Sequence, residues 1–152
     1  MTDGKSKIQP GLLRKMNERR ILEVIQDRGP LSRAEVRRYS GISAPTVSKT
    51  VAALLDAQLL EESEVPPTAP GRPSKLLRLA RETVQVMGVV VDAKRCWVGA
   101  AGLDGHLIDG FAARFPTPGT YEGLVDSIQS NCRELMKRRD VPTLGMGVSI
   151  PG

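Results

Sequence analysis

The sequence is poor in the residues that most often build metal, redox and catalytic sites. It contains two cysteines, Cys96 and Cys132, and a single histidine, His106. The cysteines are far apart and match no metal-ligand or redox spacing, so buried thiols in a reducing compartment are the simplest interpretation. No serine or cysteine lies at a spacing from His106 that indicates a catalytic pair. We therefore expect a protein that is not an enzyme, with no catalytic residue, no cofactor and no metal.

Long hydrophobic runs are also missing. No apolar stretch approaches the roughly 20 residues that a membrane-spanning helix needs, and the first ten residues lack the apolar core of a signal peptide. We expect a cytoplasmic protein without membrane contact. Hydrophobic residues make up 40% of the chain and charged residues 26%, which is typical of a folded globular protein. The length of 152 residues suits one ordinary domain or two small ones.

The positive charge lies entirely in the first half of the chain. Residues 1–80 contain 14 Lys and Arg against 9 Asp and Glu, whereas residues 81–152 contain eight of each kind. A basic module favours a polyanionic partner, because neutralising phosphates releases their counterions whatever the base sequence. A basic surface that only contacts solvent is the alternative at this point.

Three helices are predicted in the basic half. Gly29 and Pro30 end the first helix, and Ser32 with Glu35 has the S-x-x-E spacing of a capping box that begins the second. Gly41 provides the turn before the third helix, which carries Pro45 in its first turn, where no N–H is needed. The apolar positions are Leu12, Leu13, Met16, Ile21, Leu22 and Ile25 in the first helix, and Val47, Val51, Leu54 and Leu55 in the third.

A hairpin is predicted after these helices. Residues 59–62 and 76–79 are short strand candidates, and the segment between them, 66–73, holds four prolines and one glycine. Two helices joined by a tight glycine-containing turn and followed by such a hairpin predict a winged helix-turn-helix over residues 1–80. Arg72 at the wing tip is a candidate for an A·T-rich minor groove, which attracts arginine through its negative potential. An ordinary exposed loop arginine is the alternative.

The second half, residues 81–152, has a different pattern. Three strands (84–91, 95–101 and 106–115), a helix (120–139) and a last strand (144–150) give the order β-β-β-α-β. This order is that of a mixed sheet with three meandering strands and a crossover to a parallel one. No second layer covers the predicted sheet, so we expect the chain to stop partway through a larger domain.

Four segments in order resemble the DNA-binding half of ROK-family repressors (repressor, open reading frame, kinase). They are residues 11–22, 29–33, 43–49 and the tripeptide 71–73. The resemblance implies an α+β protein, in which the winged helix precedes the beginning of an actin-like, ribonuclease-H-like domain. It also implies a regulator that senses a sugar or sugar phosphate. Kinase members of the family have a glycine-containing phosphate loop after the first strand, but residues 90–95 lack both glycines, which argues against ATP binding in that manner.

The resulting hypothesis is a repressor that binds a double-stranded DNA operator, as a homo-oligomer when full length. The third helix lies in the major groove, as in other helix-turn-helix proteins. A sugar kinase with an added DNA-binding module and a winged helix that binds another protein are the alternatives. The candidate DNA-binding residues are Ser43, Pro45, Thr46, Ser48, Lys49 and Arg72.

Overall fold

The computed structural model describes residues 9–64 and 75–150, and the chain divides into two compact units, Met1–Leu79 and Ala80–Gly152. The order of three helices and a hairpin, followed by β-β-β-α-β, confirms the predicted α+β fold class. The first unit contains α1 (Pro10–Arg28), α2 (Arg33–Ser40), α3 (Ala44–Asp56), β1 (Leu60–Glu64) and β2 (Lys75–Leu79). The second contains β3 (Gln85–Val90), β4 (Arg95–Ala101), β5 (Leu107–Pro116), α4 (Tyr121–Lys137) and β6 (Thr143–Ser149).

Local chemistry sets the helix ends in the first unit. α1 ends at Gly29, whose φ of 82° is accessible to glycine at little steric cost. The predicted capping box at α2 is confirmed: the Ser32 backbone N–H donates to Glu35 Oε2 at 2.9 Å, and the Glu35 N–H donates to Ser32 Oγ at 3.3 Å. Two N–H groups that the helix itself leaves unsatisfied are thereby paired.

The capping box makes the stability of the first unit depend on pH. The hydrogen bond from the Ser32 backbone, followed by that from the Ser32 hydroxyl, lowers the pKa of Glu35. The carboxylate therefore stabilises the fold above the ordinary glutamate pKa of about 4.3, and this contribution is lost as the pH falls through the lowered value. We expect Glu35→Gln to lower the urea midpoint at pH 7 and to lower it by less at pH 3. Glu134→Gln, at an exposed position of α4, is the control, and an equal Glu35→Gln loss at both pH values would contradict the assignment.

The core of the first unit joins all three helices to the hairpin. β1 and β2 pair antiparallel, and Leu31, between α1 and α2, adds a bridge to Leu77 with N–O distances of 3.0 and 2.8 Å. Because Leu77 is fully buried, this short three-stranded arrangement closes one side of the core. The other buried hydrophobic side chains are Ile21, Val24, Ile25, Leu31, Val36, Val47, Val51, Leu54, Leu60 and Leu79.

The burial pattern departs from the predicted stripes in two places. The N-terminal half of α1 is exposed, with Leu12 at 54%, Leu13 at 48% and Met16 at 54% relative accessibility. In α3, Thr50 is buried, whereas Leu55 is only half-buried. Helical periodicity identifies residues on the same face, but it does not show how far along the helix a neighbour covers that face.

The second unit is a four-stranded sheet with one helix against it. The strand order is β5-β4-β3-β6, and β6 runs parallel to β3, as the predicted crossover requires. α4 packs against β4 and β5, and Cys132 and Leu135 contribute to a core with Met87, Val89, Val98 and Ala100. Tyr121, the first residue of this helix, is 76% exposed.

Arg139, just after α4, forms hydrogen bonds with the segment that precedes β3 in the same unit. Its side chain is 11% exposed, and its Nη2 donates to the backbone carbonyls of Arg81 at 2.6 Å and Glu82 at 3.1 Å. These hydrogen bonds pair carbonyl groups that precede β3. The basic run at residues 137–139 therefore includes a structural arginine as well as helix-terminal charge.

Candidate nucleic-acid interface

The turn between α2 and α3 sets the direction of the third helix. Gly41 has a φ of 72° and its N–H donates to the Arg37 carbonyl, which closes α2 in a left-handed cap. Two residues later Ser43 caps α3 in an extended conformation. The predicted helix-turn-helix is therefore present, with its glycine at the position that requires positive φ.

α3 has one buried face and one exposed polar face. Val47, Val51 and Leu54 are buried against the rest of the unit. On the other side, Ser43, Pro45, Ser48 and Lys49 are exposed and Thr46 is half-buried. The five candidate residues that the structure describes thus lie together on the start and the open face of one helix.

Two hydroxyl groups are paired at the first turn of α3. Ser43 Oγ and Thr46 Oγ1 are 2.9 Å apart, and the Ser43 side chain makes no capping hydrogen bond to the helix backbone. Pro45 has no N–H to satisfy. The start of α3 consequently presents two hydroxyls, which can donate and accept, at the positive end of the helix macrodipole. Such a surface suits base edges and phosphate oxygens.

Acidic side chains of the hairpin form ion pairs with several basic side chains of the first unit. Glu62 Oε2 lies 2.7 Å from Lys75 Nζ, and its Oε1 lies 2.8 Å from an Arg33 nitrogen. The hydrogen bond from Lys75, followed by that from Arg33, lowers the pKa of Glu62. Arg78 pairs similarly with Glu61 at 3.1 Å. The cations best placed for an external anion are therefore on the helices.

Sequence reasoning missed the basic residues of α2. Arg37 and Arg38 are exposed near its C-terminal end, beside the turn that leads to Ser43. The adjacent pair of arginines could have indicated them, because the hydrophobic positions of so short a helix leave both on its outer side. Arg72, the wing candidate, lies outside the described residues.

A groove of about 650 Å³ separates the exposed half of α1 from α3. Leu13 and Arg14 line it from α1, and Thr46, Lys49 and Ala53 line it from α3. Pro45 also lines the groove, so three candidate DNA-binding residues border the apolar surface that α1 leaves open.

The described residues offer few other groups that could form a metal or catalytic site. Within the parts of the chain that the structure describes, no group of three or more His, Cys, Asp or Glu could hold a metal ion. Cys96 and Cys132 are both buried, and burial raises the pKa of the Cys132 thiol. Asp92, near the position of the family phosphate loop, accepts a hydrogen bond from the Ala93 N–H at 2.6 Å, as a strand-end turn residue does. No helix among residues 9–64 and 75–150 has the length and hydropathy to cross a membrane.

The helices, the turn and the hairpin define the first unit as a winged helix-turn-helix. In agreement, residues 11–69 match the model of the MarR family. The chain is also 29% identical over 136 residues to the transcriptional regulator Mb0495 of Mycobacterium bovis, covering 87% of this chain and 31% of that protein. The first unit is thus a winged helix of the transcription-regulator type.

Two further proteins match over both units. The uncharacterized protein y4fQ of Sinorhizobium fredii is 29% identical over 140 residues, covering 90% of this chain and 36% of that protein. The crystal structure of a ROK family transcriptional regulator, a homologue of the E. coli MLC protein, matches with a TM-score of 0.65 at 18% identity. That match covers 92% of this chain and 36% of the regulator, and it shows that the fold is shared. The chain spans about a third of the length of these relatives.

Proposed function

We propose that this chain is a sequence-specific DNA-binding transcription regulator of the ROK family, and that it acts as a cytoplasmic repressor. The observation that carries the proposal is the exposed face of α3, where Ser43, Pro45, Thr46, Ser48 and Lys49 lie opposite a buried apolar stripe. The match of residues 11–69 to the MarR family supports the DNA-binding role. The ROK assignment rests on the four sequence segments and on the shared fold.

In this proposal the polar face of α3 enters the major groove. A groove about 12 Å wide admits one α-helix, whose first residues then reach the base edges. Thr46 and Ser48 contact bases or phosphates, and Lys49 contacts a phosphate. Arg72 is proposed from the sequence alone as a minor-groove contact of the wing.

The response to a sugar or sugar phosphate and the homo-oligomeric state are proposed from the resemblance to ROK-family repressors. No catalytic role is part of the proposal, because residues 90–95 lack the glycines of the kinase phosphate loop. A two-fold symmetric regulator would bind a roughly palindromic operator, since each protomer would contact one half-site.

Selection of preferred sequences from a pool of random duplexes tests sequence-specific binding. We expect the wild-type chain to enrich one motif, and Thr46→Val to change the preferred base at one or two positions. Each lost base contact costs about 1–3 kcal/mol, because a hydroxyl that meets a base edge is replaced by a methyl group.

Ser130→Ala on the exposed surface of α4 is the control and leaves the enriched motif unchanged. Failure of the wild type to enrich any motif would contradict sequence-specific binding. The same motif for wild type and Thr46→Val would contradict the role of Thr46 alone.

A protein partner is the second candidate, and one observation favours it. Leu12, Leu13 and Met16 form an exposed apolar cluster on the half of α1 that the unit leaves uncovered. Apolar clusters of this kind are common at protein interfaces. The two candidates differ in their response to salt, because an apolar interface lacks the counterion release that accompanies phosphate binding.

A further inference from the structure

The C-terminal end of α2 carries a basic cluster organised around Tyr39. The Arg28 guanidinium carbon lies 4.1 Å from the centre of the Tyr39 ring, and that of Arg38 lies 4.6 Å from it. Arg38 Nη2 also donates to the Tyr39 hydroxyl at 2.6 Å. An exposed arginine usually samples many rotamers, so these contacts restrict the Arg38 side chain before any partner binds.

Arg37 is exposed and is not used by the fold. Within residues 9–64 and 75–150 its guanidinium makes no hydrogen bond and no ion pair. Complementing the helix dipole at the end of α2 is the ordinary role of such a residue, but that role needs no particular neighbour. Arg37 is therefore available to an external anion.

Both arginines share one concave surface with the start of α3. This surface is lined by Ala34, Arg37, Arg38, Gly41, Ile42 and Ser43. Ser43 is the N-cap of α3 and one of the candidate DNA-binding residues. The tight turn at Gly41 is what brings the end of α2 next to the start of α3. An anion held by the arginines would consequently lie beside the first turn of α3.

We propose that Arg37 and Arg38 bind backbone phosphates of the duplex at the edge of the major groove that α3 enters, and that Tyr39 positions Arg38. This inference rests on the proposed DNA-binding function and extends its site to α2. The major groove is about as wide as one helix, so the helix preceding α3 lies over the phosphate backbone. The planar guanidinium group matches phosphate oxygens with two parallel hydrogen bonds. Because Tyr39 already orients Arg38, less side-chain entropy is lost on binding.

The test measures binding of the whole chain to a duplex by fluorescence anisotropy, over a range of salt concentrations. Each phosphate contact contributes about 0.9 to the slope of log affinity against log salt. We expect Arg37→Gln and Arg38→Gln each to reduce that slope by about one and to weaken binding equally for different duplex sequences. Between 50 and 200 mM salt, each variant should therefore lose about fourfold less affinity than the wild type. Arg95→Gln, an exposed arginine of β4, is the matched control and keeps the wild-type slope.

A double-mutant cycle tests the role of Tyr39. Tyr39→Leu should weaken binding severalfold when Arg38 is present and should have little effect in the Arg38→Gln background, because a positioning residue acts through its partner. Thermal unfolding of each variant shows whether the fold is retained. Tyr39→Phe keeps the ring and loses the hydroxyl, so it replaces Tyr39→Leu if the latter fails to fold.

The outcomes separate the inference from the function on which it rests. If the wild type shows no salt-dependent binding to any duplex, both are overturned. If the wild type binds and the two arginine variants keep its slope, only the inference is overturned. Variants that lose thermal stability but keep the wild-type slope would show that the arginines serve only to stabilise α2, and this result also overturns it.

Discussion

Binding of duplex DNA by this chain should weaken by a factor on the order of 10³ when the salt concentration rises from 50 to 200 mM, as expected for several phosphate contacts. The physical reason is the release of counterions when Lys and Arg neutralise phosphates. Residues 1–80 carry the whole net charge of +5, and the acidic residues of the hairpin already pair with Arg33, Lys75 and Arg78. The salt-sensitive contacts should therefore come mainly from the helices.

Titrations of one labelled duplex at four or five salt concentrations give the slope directly. A duplex of unrelated sequence is the comparison, because the electrostatic part of the affinity should decrease equally for both. Affinity that stays constant over this range would contradict phosphate binding. That result would favour the protein partner suggested by Leu12, Leu13 and Met16.

The second large effect is expected at the centre of the first unit. Leu77→Ala should lower the free energy of unfolding of this unit by about 2–5 kcal/mol, because it removes buried methyl groups and leaves a cavity. Leu77 is 0% exposed, and its backbone pairs with Glu62 on one side and Leu31 on the other. The surrounding strands are therefore held in place and have little freedom to collapse into the space.

Urea unfolding can be monitored through the NMR signals of backbone amides in α1, α2 and α3. These signals report the free energy of unfolding of the first unit without interference from the second. Leu12→Ala makes the same substitution at a side chain that is 54% exposed, and it should alter stability by less than about 0.5 kcal/mol. Similar losses for the two variants would show that burial of Leu77 does not determine the stability of the hairpin.

The sequence was sufficient to predict features that depend on neighbouring residues. The Ser32 and Glu35 capping box, the Gly41 turn and Pro45 in the first turn of α3 were all found as predicted. Each of these signals acts within about one helical turn, so it can be recognised without knowing the rest of the fold. The pattern of apolar and polar residues likewise placed each strand end of the second unit within one residue of its observed position.

Only the tertiary structure decided which parts of the predicted faces are covered and which distant residues meet. The apolar stripe of α1 is buried at Ile21 and Ile25 but open at Leu12, because α2, α3 and the hairpin pack against its C-terminal half. Arg37 shares a surface with Ser43 through the direction that the Gly41 turn gives to α3. Sequence periodicity shows which residues of a single helix or strand share a face. Burial and proximity depend on where the other helices and strands pack. For that reason α3 and its polar face could be predicted from the sequence, whereas the surface that Arg37 and Arg38 share with Ser43 could not.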